Sequence, residues 1–385
     1  MFSHLNPTRS RRHGAVTAVT AVALAALLLP AGCAGPSAGA ATGPRDGDSV
    51  ADFVHRTLPA GISGTVLAAH GDDLVYCAGF GTADRAAGTP ASCRTVYDIM
   101  SVTKQFTAAA ILKLEVMGRL RVSDRIDRFL GPVPADKRDI TIEQLLTHTS
   151  GLVEALGDDY EPISRDELVR RALASAPRSA PGEEWHYSNT GYSLLAAIVE
   201  KASGQGYEQF LARQLFAPAG MRHTGYVLPR WPRRLVAVEY AARGREHGRP
   251  YDHDWATDGP YWNLRGNGGM LSTAPDLLRW HRALMDDTVL PAEARAELFE
   301  ARVPEPDSED SYAYGWNVRE LPGGPFAWHD GGNGWSLALL GRTLRDGVLV
   351  FWVSNHAYRH GRWNLEDRAK TLTQGIVDRV RAEGE

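Results

Sequence analysis

The chain has 385 residues, 43% of them hydrophobic and 23% charged, with a formal net charge of −4. That balance belongs to a globular protein with material for one large domain or two ordinary ones, and argues against a disordered or fibrous chain. The mild acidity argues against nucleic acid and against a polybasic membrane footprint as partners.

Residues 1–33 stand apart. Arg9, Arg11 and Arg12 form a basic start, residues 15–29 are apolar and uncharged, and Ala31-Gly32-Cys33 closes the run with small residues. This pattern is a secretory leader, too short and wrongly flanked for an ordinary membrane span. The small-small-Cys ending resembles a bacterial lipobox, in which Cys33 becomes a lipidated first residue and tethers the chain to a membrane. Pro30 departs from that pattern, and the alternative is a cleavage region with an incidental cysteine. Removing the leader takes away three arginines and no acid, so the rest is more negative still. Residues 34–48 are small and polar and read as a flexible linker. Gly35-Pro36-Ser37-Ala38-Gly39 matches Gly-x-Ser-x-Gly, but no strand leads into it and no helix leaves it, so it is a decoy.

The remaining 49–385 reads as the folded part. A short helix at 50–58 precedes two runs, 62–69 and 74–79, that form a hairpin around His70-Gly71-Asp72-Asp73. Glycines then lead to Cys93. With Cys33 set aside, Cys77 and Cys93 are the two cysteines left, and an exported chain can keep them as a disulfide. Two buried free thiols are the alternative. No cysteine or histidine spacing reads as a metal site, and no cofactor is implied.

A helix is expected from Ser101, with Phe106, Ala109, Ala110, Leu112, Leu114 and Met117 giving it a broad apolar face and Gly118 ending it. Further helices are expected at 142–146, 165–175, 190–203 and 205–216. The stretch 220–265 is aromatic, proline-rich and irregular, suited to lining a cleft. A helix at 275–285 follows, capped by Ser272 or Thr273. Strands are expected at 314–318, 326–329, 336–342 and 348–354, then a last amphipathic helix at 365–381. Early and late strands sharing one antiparallel sheet make an α+β fold. Its α/β part is about 49–100 and 266–385, a helical part of about 101–265 is inserted, and a cleft lies between them.

Ser101 and Lys104 are one helical turn apart and project from nearly the same side. A serine hydroxyl attacks only when a neighbour takes its proton, and an amine one turn away can do so. Two further stretches join this one: Tyr187-Ser188-Asn189, and His329-Asp330-Gly331-Gly332 between Trp328 and Trp335. In this order the three resemble the penicillin-recognising serine hydrolases, in the class C β-lactamase and DD-peptidase branch with its esterase relatives. The connecting phrases Thr147-His148-Thr149-Ser150-Gly151 and Gly268-Gly269-Met270 fit the same pattern, and the resemblance covers about residues 50–380.

The resemblance implies a β-lactamase/transpeptidase-like fold and a role for each position. Ser101 forms the acyl-enzyme, Lys104 sets the protonation of Ser101 and Tyr187, and Tyr187 is base or proton shuttle. Asn189 orients Lys104 or the substrate. The N–H groups of Ser101 and Gly332, with His329 and Gly331 in the strand motif, complete an oxyanion hole in which one donor is worth about 3 kcal/mol. His148 is expected in a structural turn, His186 along the cleft, and Ser150 and Ser188 as turn hydroxyls. Trp328 and Trp335 are either core or acyl pocket.

Two departures bear on substrate. His329 replaces the lysine of true class C β-lactamases. Asp330 replaces a hydroxyl, and facing the cleft it would repel a substrate carboxylate by about 4 kcal/mol at an effective dielectric near 20, unless it turns away or pairs with a cation such as Arg265. The expected activity is ester or amide hydrolysis. D-Alanyl-D-alanine carboxypeptidase or D-aminopeptidase activity is the alternative, and a slowly acylating penicillin sensor is a third reading.

Overall fold

The computed structural model describes residues 48–357, 359–360 and 363–384. The expected leader, Cys33 and the expected linker up to residue 47 lie outside the described residues.

Helix α1 (Val50–Thr57), capped by Ser49, leads into strands β1 (Gly64–His70) and β2 (Asp73–Phe80). The chain then leaves the sheet and returns at β3 (Val303–Pro304), β4 (Ser311–Tyr312), β5 (Asn317–Leu321), β6 (Gly324–Gly332), β7 (Leu337–Thr343) and β8 (Val348–Ser354). The eight strands run in the order β2-β1-β8-β7-β6-β5-β4-β3, and every neighbouring pair is antiparallel. The early hairpin thus joins the late strands by β1 pairing with β8, Gly64 opposite Ser354 and His70 opposite Val348. Every residue of β8 is buried, because both faces of the sheet are covered. One face takes α1 and the C-terminal helix, where Trp352 Nε1 donates to Thr373 Oγ1 at 3.0 Å. The other face takes the turn around Ser101 and the helix after Thr273.

Between β2 and β3 run the main helices α2 (Lys104–Val116), α3 (Ile142–Leu146), α4 (Arg165–Ala174), α5 (Asn189–Ser203), α6 (Ala274–Ala283) and α7 (Ala292–Phe299), with short helical turns at Asp127–Leu130 and Tyr207–Leu211, and α8 (Leu365–Glu383) closes the chain after β8. Helix α2 is buried on nearly all sides, and Phe106 meets the rings of Phe216 and Trp280, each at 5.0 Å. It begins three residues later than expected: Met100–Thr103 is a 3-10 turn, and the α-helix starts at Lys104. Thr273 caps α6 by accepting from the Asp276 N–H. The strand expected at 314–318 is displaced. Gly315, at φ 75°, turns the chain between β4 and β5, and an added Cβ there would come within 2.7 Å of the Lys104 carbonyl oxygen. The segment 220–265 is irregular, apart from short turns and a ribbon pairing Glu239–Tyr240 with Glu246–Gly248.

Cys77 on β2 and Cys93 are joined in a disulfide, with Cα atoms 6.0 Å apart and a sequence separation of 16. Closing a loop of that length removes unfolded-state entropy worth about 3 kcal/mol. Denaturant titration of a Cys77→Ala/Cys93→Ala variant should show a loss of that order. An unchanged midpoint would mean that the bridge is energetically silent.

Candidate active site

The site starts from a strained turn. Strand Tyr97–Asp98 pairs with Leu271–Ser272, and the Ile99 N–H donates to the Met270 carbonyl at 2.9 Å. Asp98 Oδ1 accepts the Met100 N–H at 2.6 Å, which holds Met100 at φ 47°, a left-handed conformation costly for a residue with a side chain. The bend presents Ser101, half-buried, at the mouth of α2. Strand β6 backs directly onto this turn. A Cβ on Gly331 would lie 2.7 Å from both Met100 Cβ and the Ser101 nitrogen, so only glycine fits there.

Lys104 is fully buried on the first turn of α2. Its Nζ donates to Asn189 Oδ1 and to the Asn267 carbonyl, each at 2.7 Å, and reaches Ser101 Oγ at 3.1 Å. It also lies 4.8 Å from the Tyr187 ring centre and 5.5 Å from that of Tyr192. Burial pulls its pKa down to about 7, against the weaker pull of Asp159, Asp330 and Glu154. A large share of the lysine is therefore a neutral amine near pH 7, within hydrogen-bond reach of a hydroxyl. That pair can move a proton from oxygen to nitrogen.

Tyr187 and Asn189 flank the start of α5. Ser188 between them is the cap, accepting the Gly191 N–H at 3.0 Å, which leaves the Asn189 side chain for Lys104. The Tyr187 hydroxyl is hydrogen-bonded to Ser101, and burial holds the phenol well above its ordinary pKa, so it stays protonated. His148, at φ 61°, packs its ring 4.4 Å from Tyr187 and 4.5 Å from Tyr312, and its Nδ1 accepts the Ser188 N–H at 3.0 Å. It belongs to the support of Tyr187, in the turn expected for it. His186 lies at the surface against Glu184 at 2.8 Å, and Ser150 Oγ accepts the Leu152 N–H.

Alternation along β6 sorts the third motif. His329 pairs with Leu340 and Gly331 with Ala338, residues of the core shared with Met100 and Val102, so these two face Ser101. Trp328 and Asp330 point to the α8 side. Trp328 is a core residue, its Nε1 donating to Asp310 at 3.1 Å and its ring 5.4 Å from the Arg319 guanidinium carbon. Asp330 stands at the rim, 27% exposed, with Oδ1 3.9 Å from His329 Nδ1. Of the two alternatives for Asp330, it is the turn away from Ser101 that the strand supports; Arg265, the example of a pairing cation, instead makes a two-pronged ion pair with Asp258 at 2.8 and 2.9 Å.

His329 is a neutral imidazole. Its Nδ1–H donates to the Asp330 carbonyl at 2.6 Å, and its Nε2, 3.0 Å from the Tyr312 oxygen, accepts the phenol proton. Burial, then the nearby Lys104, press its pKa down to about 3.

The turn after Gly332 is tied by Asn333 Oδ1, which accepts the N–H groups of Trp335 and Ser336, and by Glu239, which accepts from Ser336 Oγ at 2.6 Å and Asn333 Nδ2 at 3.2 Å. Glu239 and Asp98 are both buried, and burial raises the pKa of each. Trp335 is no core residue. It stacks on His247 at 3.9 Å, and the stack continues through His253 to Tyr160 at 4.1 and 4.4 Å. This ladder of rings joins the turn after β6 to the loop carrying Asp159.

Asn267, Tyr312 and Glu239 were not singled out from the sequence. Asn267 opens the Gly-Gly-Met phrase, which reads as a plain turn, and its side chain is spent on Ser193 Oγ and the Asn263 carbonyl. Tyr312 follows the polar stretch Asp307-Ser308-Glu309-Asp310-Ser311 and matches no motif. Glu239 is an isolated acid in an irregular stretch and carries no pattern at all.

Comparison with known proteins agrees with this geometry. The Beta-lactamase family model matches residues 54–374. A penicillin-binding protein of Bacillus subtilis (strain 168) is 33% identical over 310 residues, covering 76% of this chain and 68% of its own. Esterase EstB of Burkholderia gladioli is 38% identical over 183 residues, 42% of this chain and 46% of the esterase. The crystal structure of a β-lactamase/D-alanine carboxypeptidase from Pseudomonas syringae shares the fold, with a TM-score of 0.72 at 17% identity over 86% of this chain and 97% of that one. With Lys104 bonded to Ser101 and Asn189 under the end of β6, sequence and geometry agree that the chain belongs to the β-lactamase family of serine hydrolases.

Proposed function

We propose that the protein is an exported hydrolase that cleaves esters or amides lacking a free carboxylate beside the scissile bond. The observation that carries this reading is the neutral, doubly bonded His329. A cation at this position would hold a substrate carboxylate, whereas a neutral imidazole committed to Tyr312 and the Asp330 carbonyl holds none. Asp330 alternates away from Ser101, so its charge acts on the site from the rim and the discrimination falls mainly to His329. The likeness to an esterase supports the same reading, and the basic, apolar, small-residue leader supports export with Cys33 as a lipid tether.

In this mechanism neutral Lys104 takes the Ser101 proton as Oγ attacks the carbonyl carbon. The oxyanion is held by the N–H groups of Ser101 and Gly332. The C–O or C–N bond then breaks, and the proton passes from Lys104 to the leaving group through the Tyr187 phenol. Water attacks the acyl-Ser101 ester, the same groups carry its proton, and free enzyme and acid are released. Asn189 and the Asn267 carbonyl fix the amine that does this work.

Turnover of p-nitrophenyl esters, D-amino-acid amides, an acyl-D-Ala-D-Ala peptide and nitrocefin tests the reading. Ester or amide kcat/KM should exceed that for the carboxylate-bearing pair by about tenfold or more, and His329→Lys should narrow the gap. Faster cleavage of the D-Ala-D-Ala peptide would overturn it. Stable labelling by penicillin with no turnover of any substrate would instead indicate a sensor.

A further inference from the structure

A cavity of about 1050 Å³ opens at the far edge of the molecule, beside β2 and α1, and contains none of the residues that surround Ser101. One wall is apolar, built by Val54, Leu58, Ile62 and Phe80. Arg85, Arg243 and Arg359 line the cavity as well, and among the described residues no carboxylate does. In a chain of net charge −4 this is a local reversal of sign.

Arg85 is held ready. Its guanidinium carbon lies 4.1 Å above the Tyr240 ring, and its Nη2 donates to His356 Nδ1 at 2.9 Å. Burial, then Arg85 itself, lower the His356 pKa, so the ring is the neutral acceptor that this bond needs. The adjacent acid is already taken: Asp84 accepts from Arg249 at 2.6 Å and from the Ala87 N–H at 2.9 Å. Among the described residues no carboxylate pairs with Arg85 or Arg243, and Arg359 has only Glu366, at 3.8 Å. A guanidinium fixed by an aromatic face and an imidazole, with no carboxylate partner among the described residues and apolar side chains lining the same cavity, is the chemistry that receives an amphiphilic phosphate ester.

We infer that this cavity binds the phosphate of a phosphate ester through Arg85 and Arg243, with the glycerol or acyl part against the apolar wall. The group can come from a soluble ester or from the headgroup of an anionic lipid, and two arms separate these sources. In the first, glycerol 3-phosphate is titrated calorimetrically into the full-length protein. In the second, co-sedimentation is measured with phosphatidylglycerol and with phosphatidylcholine vesicles. Each is repeated with an Arg85→Ala/Arg243→Ala variant, whose ester turnover should be unchanged, and any anchor at Cys33 is common to both proteins.

Binding of glycerol 3-phosphate weakened by about tenfold or more in the variant supports the site and a soluble ligand. A wild-type excess confined to phosphatidylglycerol vesicles supports the site and a lipid source. Equal behaviour of the two proteins in both arms, or no binding by the wild type in either, overturns the inference.

Discussion

A Ser101→Ala protein should lose all covalent labelling by a fluorophosphonate and about 10⁴-fold or more in kcat/KM for its best ester. The hydroxyl lies within hydrogen-bond reach of the Lys104 amine and the Tyr187 phenol, and the backbone nitrogen of the same residue packs against Gly331. Removing it takes away the atom that forms the acyl bond and leaves the pocket otherwise intact. Fold stability should barely change, because Ser101 is half-buried in a turn held by Asp98 and Met270. Mass spectrometry of the labelled protein checks the assignment. Undiminished labelling of the alanine variant would place the acyl group elsewhere.

The second large effect concerns Lys104. With its pKa near 7, kcat/KM should climb through a single inflection close to that pH, since the protonated amine below it cannot accept the Ser101 proton. Lys104→Arg keeps a permanent charge at the same place. It should cost about 10²–10⁴-fold at pH 8 and abolish the rising limb. A profile flat from pH 5 to 9 in the wild type would remove the lysine from the proton path. The same shift bears on stability. The folded lysine binds its proton less tightly than the unfolded one, so between pH 7 and its ordinary value the unfolded chain holds more protons. This group's contribution therefore becomes more favourable as pH rises through that window, and the penalty of keeping it charged and buried is fully present below pH 7.

Much of the fold was legible because its signals are local. Helix α3 and strand β8 lie at the positions that their apolar patterns indicate, and Ser-x-x-Lys, Tyr-x-Asn and His-x-Gly converge on one another as their order implies. The failures have a common origin in long-range packing. The Ser101 helix was expected to begin at the serine, but Asp98 and Met270 impose a left-handed Met100 that no helix propensity encodes. Of the two alternatives for Asp330, strand alternation supports its turning away, while Asp258, seven residues from Arg265, takes the guanidinium that was the example of the other. The alternatives for Trp328 and Trp335 were decided by one residue of strand register and by rings contributed from a distant irregular segment. Glu239, which braces the turn after Gly332, has no signature that a single sequence could display.

The pairing of β1 with β8 has a consequence for how the chain is made. Gly64 meets Ser354 only after nearly the whole polypeptide has been synthesised, so the early hairpin spends that interval without its central neighbour. Sheets closed by such distant partners form slowly, since the ordering of a long loop precedes the contacts that reward it. The sheet of a nascent chain built this way cannot be completed until its last strands appear. An open sheet is what threading through a narrow export channel requires, so this topology is compatible with the proposed export.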